Sequence, residues 1–282
     1  VFLTSFLMPC FLKKKSCQVK PSNEEANRDQ KKVIIVNQIA KSTFPIYLAY
    51  SPSKKTYFAM KVYPYDEGKM NSSFKREMLL KHLNHPNVVK FYEYSEKTEN
   101  LVTDFPVVSY ILMEYSPIGS VFDYIWRKVI PKDDKLIRTF FHQLIDGLDY
   151  MHNKGAYHLD IKNHNLLLGK DYQLKIADFD GSYLRSNGIN PKCRGTPNYR
   201  APELISGNVK DIAAVDIYSA GIVLFTLKTG GFFPFKESEK SSEILGLESF
   251  HDSPQTFWKN QCKQLGKPED FFDDDFKELF QA

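Results

Sequence analysis

The stretch "YHLDIKNHNLLL" carries Asp160, Lys162 and Asn165 just ahead of an apolar run. An ionised Asp can accept a proton, a Lys can neutralise a phosphate, and an Asn can offer its amide oxygen to a metal. Eighteen residues after Asp160 (178 − 160), "LKIADFDGSYL" ends a short buried strand in the cluster Asp178-Phe179-Asp180-Gly181. An acid at the end of a strand is a place to hold a metal bound to phosphate. Far upstream, Lys61 lies in "FAMKV" between apolar residues. It is either a strand-edge charge or a cation turned inward against an anion. Base, cation, amide and carboxylate on one rim would suit phosphoryl transfer, which depends mainly on positioning and charge neutralisation.

Those residues need elements to hold them. "KVIIVNQIA", "PIYLAYSP" and "KTYFAMKVYP" are rich in β-branched and aromatic residues and predict three antiparallel strands. "NSSFKREMLLKHLN" predicts a helix, and "VVKFYEYSE" and "SYILMEYS" predict two more strands. After "EYSPIG" the texture turns helical. "IRTFFHQLIDGLDYMHNKG" predicts an amphipathic helix stopped at Gly155, and "DIYSAGIVLFTLKTG", apolar nearly all round, predicts a buried central helix. "PEDFFDDDFKELF" caps and starts a late helix. The fold class is α+β with two lobes: a small antiparallel β-sheet lobe over 33–115 and a larger, mostly α-helical lobe over 116–282. Residues 1–32 read as a disordered N-terminal extension.

A chain of 282 residues has ample core for one large domain or one of two lobes. The net charge of +4 is too slight, and its charges too interspersed, to suggest nucleic acid as a partner. Cys10, Cys17, Cys193 and Cys262 match no metal spacing and read as reduced thiols of a cytoplasmic protein. The opening "VFLTSFLMPCFLKKKSC" has an apolar run of about 12 residues, too short to span a bilayer. Its positive charges follow the run, unlike a secretory signal. Acylation of Cys10 or Cys17 beside Lys13, Lys14 and Lys15 would give peripheral membrane contact; a disordered extension or a misplaced coding start are the alternatives.

In order, "FAMK", "HLDIKNHN", "DFDG" and "GTPNYRAPE" resemble the eukaryotic protein kinase family over roughly residues 34–282, and Lys162 with "GTPNY" is similar to its serine/threonine branch. "HPNVVKFYE" and the region after Asp216 suggest the calcium/calmodulin-dependent group. The resemblance implies a two-lobed kinase fold that takes ATP and Mg²⁺ and phosphorylates a protein hydroxyl. Lys61 would bridge the α- and β-phosphates, paired with Glu77. Asp160 would orient the substrate hydroxyl and take its proton, and Lys162 would neutralise the transferred phosphoryl. Asn165 and Asp178 would hold Mg²⁺. Glu114 and Ser116 would offer backbone groups to adenine behind Met113, with Ala40, Ser42, Ala59 and Leu167 also lining the nucleotide. Asp216 would brace the catalytic loop, and His158 and Phe179 would stack in an apolar spine. His82, His85, His142 and His152 read as packing or surface residues. The resemblance also implies late helices that carry an Arg for Glu203, so the helical lobe reads as truncated at its C-terminal end.

Several positions depart from the family pattern. The nucleotide-covering turn reads "IAKSTFPIY", with Ala40, Ser42 and Pro45 in place of glycines. Ala and Ser keep amide donors but limit close approach, and Pro45 donates nothing. Weaker nucleotide affinity with catalysis intact is one reading; a pseudokinase scaffold is the other. Counting back from "HPN" puts Arg76 where Glu77 is wanted, although Lys61 calls for an acid. Leu159 replaces the Arg that would grip a phosphorylated loop, and Lys192 replaces the acceptor, so control by phosphorylation there is not expected. Ser120, His164 and Thr226 stand where acids would select upstream arginines, so no strong demand for arginine is expected. Asp180 replaces a glycine, which should narrow the swing of the loop while Gly181 takes over part of the turn.

Overall fold

β1 (Ile34–Lys41), β2 (Pro45–Ser51), β3 (Thr56–Pro64), β4 (Phe91–Val102) and β5 (Phe105–Glu114) form one antiparallel sheet, ordered β1-β2-β3-β5-β4. The computed structural model describes residues 33–41, 43–65, 68–127, 133–185, 195–238 and 243–281. The N-terminal extension with Cys10 and Cys17, together with Ser42, Lys192 and Cys193, lies outside the described residues. Because side chains alternate along a strand, β3 serves two faces. Phe58, Met60 and Val62 pack on one side with Ala49, Val108 and Leu112. Ala59 and Tyr63 join the main core on the other, with Phe74, Ile111 and Met113. Lys61 shares that second face and is only 3% exposed.

The helix expected over 71–84 is shorter. α1 runs Ser72–Met78, started by Asn71, whose side chain accepts from the Ser73 amide at 2.8 Å. From Leu79 onward the amides reach back three residues, Leu79 to Arg76, Leu80 to Glu77 and Leu83 to Leu80, so the segment tightens into turns. Pro86 follows closely, and a proline pushes the residue before it out of the helical region.

In the second half β6 (Gly119–Ser120) leads into α2 (Val121–Trp126) and then α3 (Asp134–Asn153). β7 (Ala156–Tyr157), a 3₁₀ turn at Asn163–Asn165, β8 (Leu166–Leu168), β9 (Leu174–Ile176) and β10 (Tyr183–Leu184) follow. α3 buries Ile137, Phe140, Leu144, Leu148 and Met151, the helical stripe read from the sequence. A Cβ on its Gly147 would lie 2.8 Å from Ile176 Cδ1 and 3.0 Å from the Asn87 carbonyl, so glycine lets α3 close onto β9. β8 and β9 form a hairpin, Leu166 opposite Ile176, and β6 adds a third strand. After α4 (Pro202–Ser206), α5 (Ile212–Thr229) runs through the core and ends at Gly230 in the left-handed region. Length and hydropathy would let α5 pass for a membrane span, but more than half of it is buried inside the protein. β11 (Lys236–Glu237), β12 (Ile244–Leu245), α6 (Leu247–Asp252), α7 (Pro254–Leu265) and α8 (Asp274–Gln281) complete the described chain. Phe276 and Phe280 of α8 stack into an aromatic cluster with Phe225, Trp258 and Phe272.

Candidate active site

The cleft between sheet and helices gathers the chemistry. Lys61 Nζ donates to Glu77 Oε1 and, at 2.5 Å, to Asp178 Oδ1. The register question on α1 is decided by its buried face: Ser73, Phe74 and Glu77 point inward. Arg76, about 100° round the helix, instead donates from Nε to the Asp180 carbonyl at 2.8 Å. Removing one member of so buried an ion pair leaves the other charge unpaired. Burial alone would lower the Lys61 pKa, but the charges of Glu77, Asp178 and Asp180 outweigh it and hold the ammonium above its ordinary range. Burial raises Glu77 against the pull of Lys61. Burial would raise Asp178 too, but Lys61 prevails and keeps it below its usual value.

On the floor, Asp216 of α5 is fully buried and accepts from the amides of His158 and Leu159 at 2.8 and 2.7 Å. That grip holds Leu159 at φ +62°, where a branched side chain is strained. His152 Nε2 lies 2.9 Å from the same carboxylate, so this histidine braces the loop as well as packing. Asp160 emerges from the braced turn. Lys162 Nζ donates to its Oδ2 at 2.7 Å, and Asn165 Nδ2 donates to its carbonyl at 2.9 Å and to Oδ2 at 3.2 Å. Thr196 Oγ1 donates to Asp160 Oδ1 at 2.6 Å and accepts from Lys162 at 2.8 Å. The sequence reading left Thr196 without a role, although it stands in the "GTPNYRAPE" motif. Ser219 Oγ on the Tyr199 carbonyl and the Arg200–Glu237 ion pair anchor its segment. Gly195, at φ +81°, is required there, since a Cβ would sit 2.8 Å from the Leu159 carbonyl.

The β8–β9 hairpin brings the two metal candidates together. Asn165 precedes β8, Asp178 follows β9, and the Ala177 amide donates to the Asn165 carbonyl at 2.9 Å. Phe179 is buried, 5.5 Å from His158 and 5.9 Å from Phe91 ring to ring. The pivot expected at Asp180 and Gly181 lies elsewhere: neither has a positive φ, and the left-handed residue is Asp178 itself, at +67°. In that conformation its Oδ1 accepts from Lys61. Asp180 completes an acidic group with Glu77 and Asp178, oxygens within 4.8 Å of one another. Its pKa is raised by burial and then by the Asp178 charge.

The nucleotide candidates are less tightly defined. Ala59 and Met113 face each other across β3 and β5, both nearly buried. The Glu114 amide is taken by the Lys90 carbonyl at 2.8 Å, so a base can be offered its carbonyl but not its N–H. Its carboxylate pairs with Lys175 at 2.8 Å. Ser116 is buried with no hydrogen-bond partner on its hydroxyl. Leu167 points away from buried Leu166 and Leu168. Ala40 pairs with Ile46 in the β1–β2 hairpin, and Phe44 at the turn tucks in 4.8 Å from Tyr63. Leu159, in place of a phosphate-gripping Arg, is buried with Tyr183, Ala201, Leu204 and Val215. Of the three positions read for peptide preference, Ser120 caps α2 and Thr226 is buried against Asn163. Only His164 is exposed.

The protein kinase domain family matches residues 42–281. The chain is similar to CBL-interacting serine/threonine-protein kinase 8 of Arabidopsis thaliana, 41% identical over 201 residues that cover 70% of this chain and 43% of that protein. It is 38% identical to CBL-interacting serine/threonine-protein kinase 26 of Arabidopsis thaliana over 175 residues, 60% of this chain and 38% of that protein. CBL-interacting protein kinase 33 of Oryza sativa subsp. japonica matches at 38% over 175 residues, 60% of this chain and 36% of that protein. The matched part of the chain thus spans well under half the length of these curated relatives.

Proposed function

We propose that this chain, which belongs to the protein kinase domain family, transfers the γ-phosphoryl group of ATP to a serine or threonine hydroxyl of a protein. The observation that carries the proposal is the Asp160 carboxylate, held by Lys162, Thr196 and Asn165 on the rim that also carries the Lys61–Asp178 pair. Each carboxylate oxygen has two lone pairs. Asp160 therefore keeps acceptor capacity for a substrate hydroxyl and its proton. Lys162, which donates to Asp160 and Thr196, would neutralise charge on the transferred group. Lys61 would meet the α- and β-phosphates from the inner face of β3.

The donors fit a divalent cation: the Asp178 carboxylate keeps an oxygen beyond its contact with Lys61, and the Asn165 amide oxygen would be the second ligand. All-oxygen ligation favours a hard ion, and Mg²⁺ is the ion proposed. When bound, it would neutralise phosphate charge and orient the γ-phosphoryl. The small Ala59, facing Met113 across β3 and β5, supports a purine site at the hinge. The turn without glycines is expected to weaken nucleotide affinity while leaving the chemical step intact.

The test is phosphate transfer from labelled ATP to a generic protein acceptor, with Mg²⁺ or Mn²⁺, for the wild type and Asp160→Asn. Transfer by the wild type alone is the expected result. Equal signals from both proteins would overturn the proposal and leave a scaffold.

A further inference from the structure

Behind the hinge lies a cavity of about 500 Å³ that the transfer reaction does not use. Phe58 reaches it from the face of β3 turned away from Lys61, beside Tyr92 of β4. The Glu114 side chain closes it on the hinge side, and the turn between β8 and β9, with Gly169 and Lys170, closes it on another. None of Lys61, Glu77, Asp160, Lys162, Asn165 or Asp178 lines it. Its volume falls in the range of small-molecule sites.

The walls join aromatic faces to ammonium groups. The Phe58 and Tyr92 rings meet edge to face with centroids 5.1 Å apart, and Tyr92 is 47% exposed. Lys54 Nζ lies over both, 5.3 Å from the Phe58 centroid and 5.9 Å from that of Tyr92. Lys175, also in the lining, is only 7% exposed. Its Nζ donates to the Pro86 carbonyl at 2.9 Å and to Glu114 Oε1 at 2.8 Å. An ammonium has three N–H donors, so a buried wall retains a spare one. Gly169 makes room for this side chain, since a Cβ there would sit 3.3 Å from Lys175 Cε.

The charges select the sign of the occupant. Among the described residues Lys54 and Lys170 have no ion-pair partner, and Glu114 is already held by Lys175. Asp171 is the carboxylate of the lining that stands unpaired. A cation would therefore meet two free ammonium groups and one free carboxylate, and an anion meets the reverse balance. The exposed Tyr92 ring offers a stacking face for a flat group. We propose that this cavity binds a small aromatic anion, with its ring against Tyr92 and Phe58 and its carboxylate or phosphate among the lysines. Binding there needs no phosphoryl transfer, so it stands or falls separately from the kinase reading.

The test titrates the whole chain by calorimetry with three probes. 2-Naphthoate has rings and charge, 2-naphthamide has the rings alone, and inorganic phosphate has the charge alone. 2-Naphthoate should bind, and the amide should bind about ten-fold more weakly, the effect of one charge-assisted hydrogen bond. Lys54→Ala with Lys170→Ala should weaken 2-naphthoate about ten-fold and leave the amide unchanged. Tyr92→Ala should weaken both ring probes. All three residues are exposed, so the variants should fold, and circular dichroism checks this. Equal affinity for acid and amide, or 2-naphthoate binding that survives all three substitutions, would overturn the site. Phosphate binding as tightly as 2-naphthoate would leave a plain anion patch and overturn the aromatic class. No heat from either ring probe would overturn the proposal outright.

Discussion

Around Asp160, four side chains or backbone groups interlock: Lys162, Thr196 and Asn165 hold the acid, and Asp216 holds the turn beneath it. Across the cleft, β1 is nearly exposed along its length, with Ile34, Val36 and Ile39 40–51% exposed. Its pairing with β2 slips twice, between Ile35 and Asn37 and between Gln38 and Ala40. The floor keeps Asp160, Lys162, Asn165 and Asp178, with Leu159 and Asp180 as its departures from the kinase pattern, whereas the roof has lost its glycines. The difference follows from what each region offers. The floor supplies particular side-chain atoms whose partners are buried and interdependent, so one substitution strands several polar groups. The roof supplies backbone amides, which most residue types still carry, so substitution there costs closeness of approach and not the groups themselves.

If that contrast is right, the largest effect comes from the floor. Asp160→Asn should cut kcat by roughly 10³-fold with little change in ATP affinity, read by transfer kinetics and nucleotide titration. Next is Leu159→Arg, which would restore the family's side chain to a slot now filled by apolar packing. Burying that charge without a partner should cost about 3 kcal/mol or more, seen as a large fall in Tm, and should not create a response to phosphorylation. On the roof, Ala40→Gly with Pro45→Gly should lower the KM for ATP several-fold, on the order of one hydrogen bond of ~1 kcal/mol, and leave kcat nearly unchanged. A large rise in kcat would show that the roof limits chemistry and would break the comparison.

The smallest effect is electrostatic. Asp180 has its folded-state pKa raised by burial and by Asp178. Its contribution is complete below its ordinary value and is lost as pH rises through the folded one. Asp178, with a lowered pKa, has the opposite sign: its contribution is present above the ordinary value and lost as pH falls through the folded one. Asp180→Asn should therefore be more stable than wild type at neutral pH, by under about 1 kcal/mol after solvent screening, and the gain should vanish in acid. Thermal unfolding from pH 4 to 8 in metal-free buffer checks the sign.

Much of the fold was legible because its elements carry strong periodic patterns. β3, α3 and α5 fall where alternation, amphipathicity and unbroken apolar texture put them. The short elements were not legible: α2, α4 and β10 have two to six residues, too few for a period to show. α1 ran shorter than its helical pattern: from Leu79 the amides reach back three residues in tighter turns that bury Leu80 and Leu83. The left-handed backbone at Asp178 was likewise hidden, since the sequence offered Asp180 and Gly181 as the places for the turn.

The sequence by itself determined which atoms are available for chemistry: Lys61, Asp160, Lys162, Asn165 and Asp178, each in a motif whose spacing is set within one strand or loop. Tertiary structure alone decided which of those atoms meet. Lys61 and Asp178 are 117 residues apart, Thr196 reaches Asp160 across 36, and His152 reaches Asp216 across 64. It also chose Glu77 over Arg76, turned Leu159 into core, and stacked His164 on Phe122. Local spacing encodes geometry over a turn or two of chain. Contacts between distant segments arise only when burial of apolar faces, here α3 on β9 and α1 beneath β3, brings the backbones together.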